Sequence, residues 1–186
     1  VIPEIQRPFV WKAVQVRNLI DSLYNGYPVG YLIVSRSHDL KLKDGTISKG
    51  QRILIDGQQR VTALTAAILG RTVLNKEYQE RPIRIAYNPF AKEEENAFEV
   101  QDQSHIKSKR WIDDISIFFD DNFDDFEFIT NYCEENPDMD IKELNKKIKR
   151  VIDIRTKDIG VVELASDLDV DTVTDIFIRI NKEGAV

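Results

Sequence analysis

Apolar positions recur along the first part of the chain with two different periods. Val14, Leu19, Ile20 and Leu23 repeat near 3.6 residues and predict an amphipathic helix that Asn25-Gly26 stops. Ahead of it, Pro3 and Pro8 keep residues 1–11 extended or turning, because proline fixes φ and its predecessor avoids the helical region. Residues 31–34 are a short apolar run after Gly30, which predicts a buried strand. Residues 38–49 are polar around Gly45 and predict a hairpin tip or loop. Ile53, Leu54 and Ile55 predict the next strand, which runs directly into Asp56-Gly57-Gln58-Gln59-Arg60. Val61, Leu64, Ile68 and Leu69 then share one face of a helix with Gly70 as its C-cap. Further strands are expected at residues 83–87 and 97–100.

From Trp111 the pattern changes. Trp111, Ile112, Ile115, Phe118 and Phe119 make an aromatic helix candidate. A second helix over residues 124–134 uses Phe128, Ile129 and Tyr132 and ends before Asn136-Pro137. Asp140 caps a third, whose stripe is Ile141, Leu144, Ile148, Val151 and Ile152. Residues 158–164 return to a strand pattern. Asp169 or Asp171 caps a last helix through Val173, Ile176, Phe177 and Ile180, ending at Gly184. The fold class expected is α+β (mixed α/β): a small mixed sheet with flanking helices, plus a helical insert. Residues 1–110 and 153–186 form the core in this reading, and residues 111–152 the insert.

Composition sharpens this in one respect. The formal net charge of −6 taken alone argues against a nucleic-acid binder. Yet residues 1–110 carry 17 Lys and Arg against 12 Asp and Glu, whereas residues 111–186 carry 9 against 20. The basic half is where an anionic ligand is expected, and the acidic half reads as a solvated or partner-facing surface. Cys133, in a segment that reads as buried, is the only cysteine. An internal disulfide and a cysteine-based zinc site are therefore excluded, and a reducing, cytoplasmic setting fits. No apolar run approaches a bilayer span, and no signal peptide is visible, so no membrane partner is expected. A chain that begins at Val1 and ends just past a helical segment reads as a piece of a longer protein.

Asp56-Gly57-Gln58-Gln59-Arg60 is the most informative stretch. A strand end feeding a helix N-terminus presents unpaired N–H groups and a dipole that favours anions. Gly57 lets the backbone approach a ligand, and Asp56 can hold a divalent cation or orient a water. Gln58 and Gln59 offer donors and acceptors, and Arg60 a planar fork for phosphate. A plain Asp-Gly turn before a capped helix explains the same residues. Gln6-Arg7 lies in the proline-bounded segment, where Arg7 can bind phosphate or stack on Trp11. Arg179 and Asn181 lie near the end of the last helix, where they can face a ligand or answer the helix dipole.

Other groupings carry less. His38 and His105 are far apart in polar surroundings, a poor metal pair. Asp120, Asp121, Asp124, Asp125 and Glu127 lack the spacing of a calcium loop and read as a solvated face. Lys146, Lys147, Lys149 and Arg150 form a basic helix face opposite an apolar stripe, either solvated surface or a phosphate-backbone contact. No Walker loop, dinucleotide fingerprint or serine-hydrolase elbow is present.

Three separated segments together resemble one family. Ile2, Pro3, Gln6, Arg7, Pro8, Phe9 and Trp11 follow its IPxxQRPxxW opening. Residues 56–60 match its DGQQR signature, and Phe177, Arg179, Ile180, Asn181 and Gly184 its FxRINxxG motif. Tyr27-Pro28-Val29-Gly30 also fits the family's aromatic–Pro–x–Gly step. The chain is similar to the N-terminal domain of GmrSD-type, modification-dependent restriction endonucleases, within the ParB/sulfiredoxin-like fold group. The resemblance implies a domain that binds and hydrolyses a nucleoside triphosphate with Mg²⁺ or another divalent cation. It also implies a link to DNA cleavage by a separate HNH-type nuclease domain, in cis or trans, in defence against phage.

Carried over by residue, Asp56, Gln59 and Arg60 would be catalytic, with Asp56 also the metal ligand. Gln6, Arg7, Gly57, Gln58, Arg179 and Asn181 would bind nucleotide or phosphate. The chain itself carries no nuclease domain and should not cut DNA. The sulfiredoxin branch needs a cysteine in the phosphate loop, which this chain lacks. A ParB-like DNA- or nucleotide-binding switch without turnover is the alternative, and a plain interaction domain a third. The preferred nucleotide, the DNA modification sensed and whether the chain forms a homo-oligomer stay open.

Overall fold

A computed structural model describes residues 8–36, 40–41, 47–48, 52–92, 95–165, 168, 172, 175–176 and 178–179. In chain order the elements are α1 (Ala13–Tyr24), β1 (Tyr31–Arg36), β2 (Leu40–Lys41), β3 (Ile47–Ser48), β4 (Arg52–Asp56) and α2 (Gln58–Leu69). They continue with β5 (Thr72–Leu74), β6 (Glu80–Pro82), β7 (Ile85–Tyr87), β8 (Phe98–Val100) and α3 (Gln103–Lys107). A 3-10 turn, Ile115–Phe119, precedes α4 (Asp125–Glu135) and α5 (Ile141–Ile152). A second such turn, Asp153–Thr156, leads to β9 (Gly160–Leu164). The mixed α+β class expected from the sequence is the class observed. The chain divides into two compact units: Val1–Arg7, Gly30–Gln58 and Ile159–Val186, and Pro8–Val29 with Gln59–Asp158.

The first unit is built on a three-stranded sheet in the order β4-β1-β9. β1 pairs antiparallel with β4 and parallel with β9, so this sheet is mixed. The β1–β4 register shifts between Ile33 and Val34, next to the pairing of Ile33 with Asp56. Such an irregularity bends a strand locally and re-aims its end. Arg52 on β4 donates from Nε to Glu163 on β9 at 3.0 Å, reaching across the central strand. β2 and β3 pair antiparallel, in keeping with the expected hairpin. Residues 172, 175, 176, 178 and 179 are helical, where the last helix was expected.

The second unit has its own apolar core. α1 supplies Val16, Leu19, Ile20 and Leu23, the spacing that puts one helix face inward. α5 supplies Leu144, Ile148 and Val151, all essentially inaccessible. Between them lie Ile85, Tyr87 and Phe98 from the β7–β8 hairpin and Ile115 and Phe118 from the 3-10 turn. Asp124 and Asp140 cap α4 and α5, accepting from the Glu127 and Glu143 backbone N–H groups at 2.9 Å.

Three differences from the sequence reading have physical causes. α2 turns Ala63, Ala66 and Ala67 to the core, while Val61, Leu64 and Ile68 are half-buried and Leu69 is exposed. Small side chains let the helix backbone sit close to its neighbours, and apolar size alone cannot reveal that choice. Residues 111–119 are not one regular helix. Ile112 exchanges both backbone hydrogen bonds with Tyr87, and only the 3-10 turn follows. Strands β5 and β6 and helix α3, each no more than five residues, carry too little periodicity to be read in advance.

Candidate functional site

The DGQQR segment begins where β4 stops. Asp56 is its last residue, Gly57 takes φ +99°, and α2 starts at Gln58. A positive φ at a buried glycine makes the strand-to-helix turn in one residue, a conformation that side-chain-bearing residues rarely adopt. The first turn of a helix leaves backbone N–H groups without helical partners. No acidic residue occupies the first turn of α2, so its own sequence does not offset the positive end of the dipole. Asp56, Gln58, Gln59 and Arg60 are each half-buried. The division between the two units falls inside the motif, after Gln58.

Gln59 is the motif residue whose contacts are most sharply defined. Its Oε1 accepts the Val10 N–H at 2.9 Å, and its Nε2 donates to the Pro8 carbonyl at 3.3 Å. Phe9, between those two, is buried, and its N–H donates to the Leu74 carbonyl at 2.7 Å. Trp11 packs at the edge of the same core. The central motif and the end of the opening motif are therefore joined by one side-chain amide, a link the sequence reading missed. No sequence signal marks it, because Gln59 bonds to main-chain groups of Pro8 and Val10 rather than to their side chains.

Arg60 has interaction partners of its own. Arg179 is helical and exposed. Asp56, Gly57, Gln58 and Arg179 belong to the first unit, Gln59 and Arg60 to the second. Gln6, Arg7 and Asn181 lie outside the described residues, as does His38. Among the described residues no group of three or more His, Cys, Asp and Glu side chains is placed to hold a metal ion. Asp56 offers a carboxylate at the strand end. Mg²⁺ commonly takes one or two carboxylates and fills its octahedron with phosphate oxygens and water, so a carboxylate in that position is compatible with it.

Groups that looked like alternative sites have structural duties. His105 accepts the Asp102 N–H at 3.1 Å in a capping box on α3 and packs against Trp111. Hydrogen bonds from Ser104 and the His105 backbone hold the Asp102 carboxyl below the usual range. Asp120 binds the Asn122 N–H, and Asp124 caps α4. Cys133 is half-buried, and desolvation, with nearby Asp140, raises its pKa. No described helix is long and apolar enough to cross a membrane.

A family model for the GmrSD restriction endonuclease N-terminal domain matches residues 1–186. A search of curated proteins returns no match.

Proposed function

We propose, from the premise that this chain belongs to the family of GmrSD restriction endonuclease N-terminal domains, that it binds and hydrolyses a nucleoside triphosphate with Mg²⁺. Membership places the chain in DNA restriction. The finer reading is that nucleotide turnover here regulates DNA recognition or cleavage by a separate HNH-type nuclease domain. The observation that carries it is the junction itself: Asp56 at a strand end, Gly57 at φ +99° and a helix starting at Gln58.

Phosphate oxygens are assigned to the N–H groups at the start of α2, with Gln58 beside them. Asp56 is assigned the metal, which when bound would neutralise phosphate charge. Arg60, Arg7 and Arg179 are assigned to stabilise the charge that develops on the transferred phosphoryl group. Gln59 holds residues 8–10 through its side-chain amide. Its two known bonds leave one N–H and one lone pair of the amide for substrate or water.

The test is phosphate release by the purified chain with each common nucleoside triphosphate, with and without Mg²⁺. Turnover that disappears in a correctly folded Asp56→Ala protein is the expected result. Normal turnover in that variant removes Asp56 from the mechanism. Nucleotide-dependent thermal stabilisation without phosphate release would instead establish a switch.

A further inference from the structure

The basic face of α5 is not used by the nucleotide reading, and its surroundings give it a role. Five of the nine Lys and Arg residues in the acidic stretch 111–186 lie on this one helix: Lys142, Lys146, Lys147, Lys149 and Arg150. Glu143 is the helix's only acidic residue. Glu143 is answered by Lys147 at 3.0 Å, and Lys147 also donates to the Pro89 carbonyl at 2.5 Å. Among the described residues, no carboxylate is within ion-pair reach of Lys142, Lys146 or Lys149. With a 1.5 Å rise, residues four apart on this face are separated by about 6 Å along the axis.

The face borders concave surface. A cavity of about 650 Å³ has Tyr24, Tyr87, Lys146 and Arg150 in its wall, with the carboxylates Asp21 and Glu95 beside them and Glu143 next to its partner Lys147. A second hollow of about 470 Å³ is lined by Lys142, Asn145, Lys146, Lys149, Arg150 and Asp153. Lys146 and Arg150 belong to both, so the two are neighbours along the helix. Arg150 is already positioned: its guanidinium lies 4.0 Å from the Tyr24 ring centre and donates to the Tyr24 carbonyl and to Asn25 Oδ1. Those bonds use two of its five N–H groups. Tyr24 and Tyr87 share a hydroxyl–hydroxyl bond at 3.2 Å, which consumes one of two O–H protons. Burial, with Tyr24 beside it, pushes the Tyr87 hydroxyl far above the usual phenol range, so it stays protonated.

We propose that the solvent face of α5 and the adjoining cavity form a DNA-backbone site, with phosphates held by Lys142, Lys146, Lys149 and Arg150. Where the two hollows meet at Arg150, one phosphate takes the spare N–H groups of its guanidinium. A membrane surface is the other polyanion such a helix can meet. An interfacial helix needs its apolar face in lipid, however, and Leu144, Ile148 and Val151 are buried in this unit's core. The site is separate from the DGQQR junction, and its test uses no nucleotide.

The experiment is fluorescence anisotropy of a short labelled DNA duplex of mixed sequence, titrated with the whole chain over a range of salt. Lys146→Ala/Lys149→Ala should weaken binding about tenfold and reduce the slope of log K against log salt by about 2. Lys146→Arg/Lys149→Arg should bind like the parent. Lys76→Ala, which removes an exposed cation from the turn between β5 and β6, should change neither quantity. Circular dichroism confirms that each variant is folded. An unchanged slope in the alanine pair, an equal loss in Lys76→Ala, or binding to anionic phospholipid vesicles without binding to DNA overturns the proposal.

Discussion

Gln59 and Val10, 49 residues apart, are joined by a 2.9 Å hydrogen bond from the Val10 N–H to the Gln59 side-chain oxygen. The other end of the same amide binds the Pro8 carbonyl. A glutamine can accept and donate at once; glutamate, when ionised, can only accept. Gln59→Ala should therefore free residues 8–10 while leaving α2 intact. The expected loss is about 1 kcal/mol, or about 2–4 °C in Tm for a chain of this size. Amide exchange at Val10 should accelerate, and Gln59→Glu should recover only part of its protection. Unchanged exchange at Val10 in Gln59→Ala would remove the amide as the tie.

Gly70 ends α2 at φ +61°, and a Cβ there would lie 2.8 Å from the Arg84 Nη1. That nitrogen is committed to Asp114 Oδ2 at 2.7 Å, and Asp114 Oδ1 caps the 3-10 turn through the Ser116 N–H. Gly70→Ala should thus cost about 1–2 kcal/mol for the left-handed backbone alone, with further loss if Arg84 is displaced. Chemical denaturation measures it. A stability equal to the parent's would show that both the cap and Arg84 relax freely.

α5 separates packing from charge. Ile148→Ala removes a side chain that is 1% exposed, against Leu144 and Val151 on the same face. It should cost about 2–5 kcal/mol in denaturant unfolding. Lys146→Ala on the exposed side should change stability by no more than about 0.5 kcal/mol. Equal effects of the two would contradict the orientation of the helix.

Cys133 should react slowly. Desolvation first, and Asp140 second, raise its pKa, so less thiolate is present near neutral pH than in a free cysteine. Alkylation by iodoacetamide, followed by mass spectrometry, should lag a small-molecule thiol at the same pH and catch up only as pH rises. A rate matching the free thiol at neutral pH would refute the shift.

Local signals carried much of this chain's structure. The α1 stripe at Leu19, Ile20 and Leu23, where Val16 is buried in place of the expected Val14, the cap at Asp140 and the strand that ends at Asp56 each depend on neighbours within a few residues. Such features are written in periodicity and cap chemistry. The three motifs also mark the family in the sequence itself. Sequence determined, too, that Gly57 would stand between a strand and a helix.

Tertiary structure decided which partners those residues took. The face of α2 that went inward was the alanine face, because close helix packing rewards small side chains over larger apolar ones nearby. Ile112 left a helix-like run to pair with Tyr87, since a strand edge offered its backbone both hydrogen bonds. Gln59 found Pro8 and Val10, and Arg150 found Tyr24, across separations no local pattern encodes. Composition and spacing fix what a side chain can bond, but only the folded chain brings its partner within bonding reach.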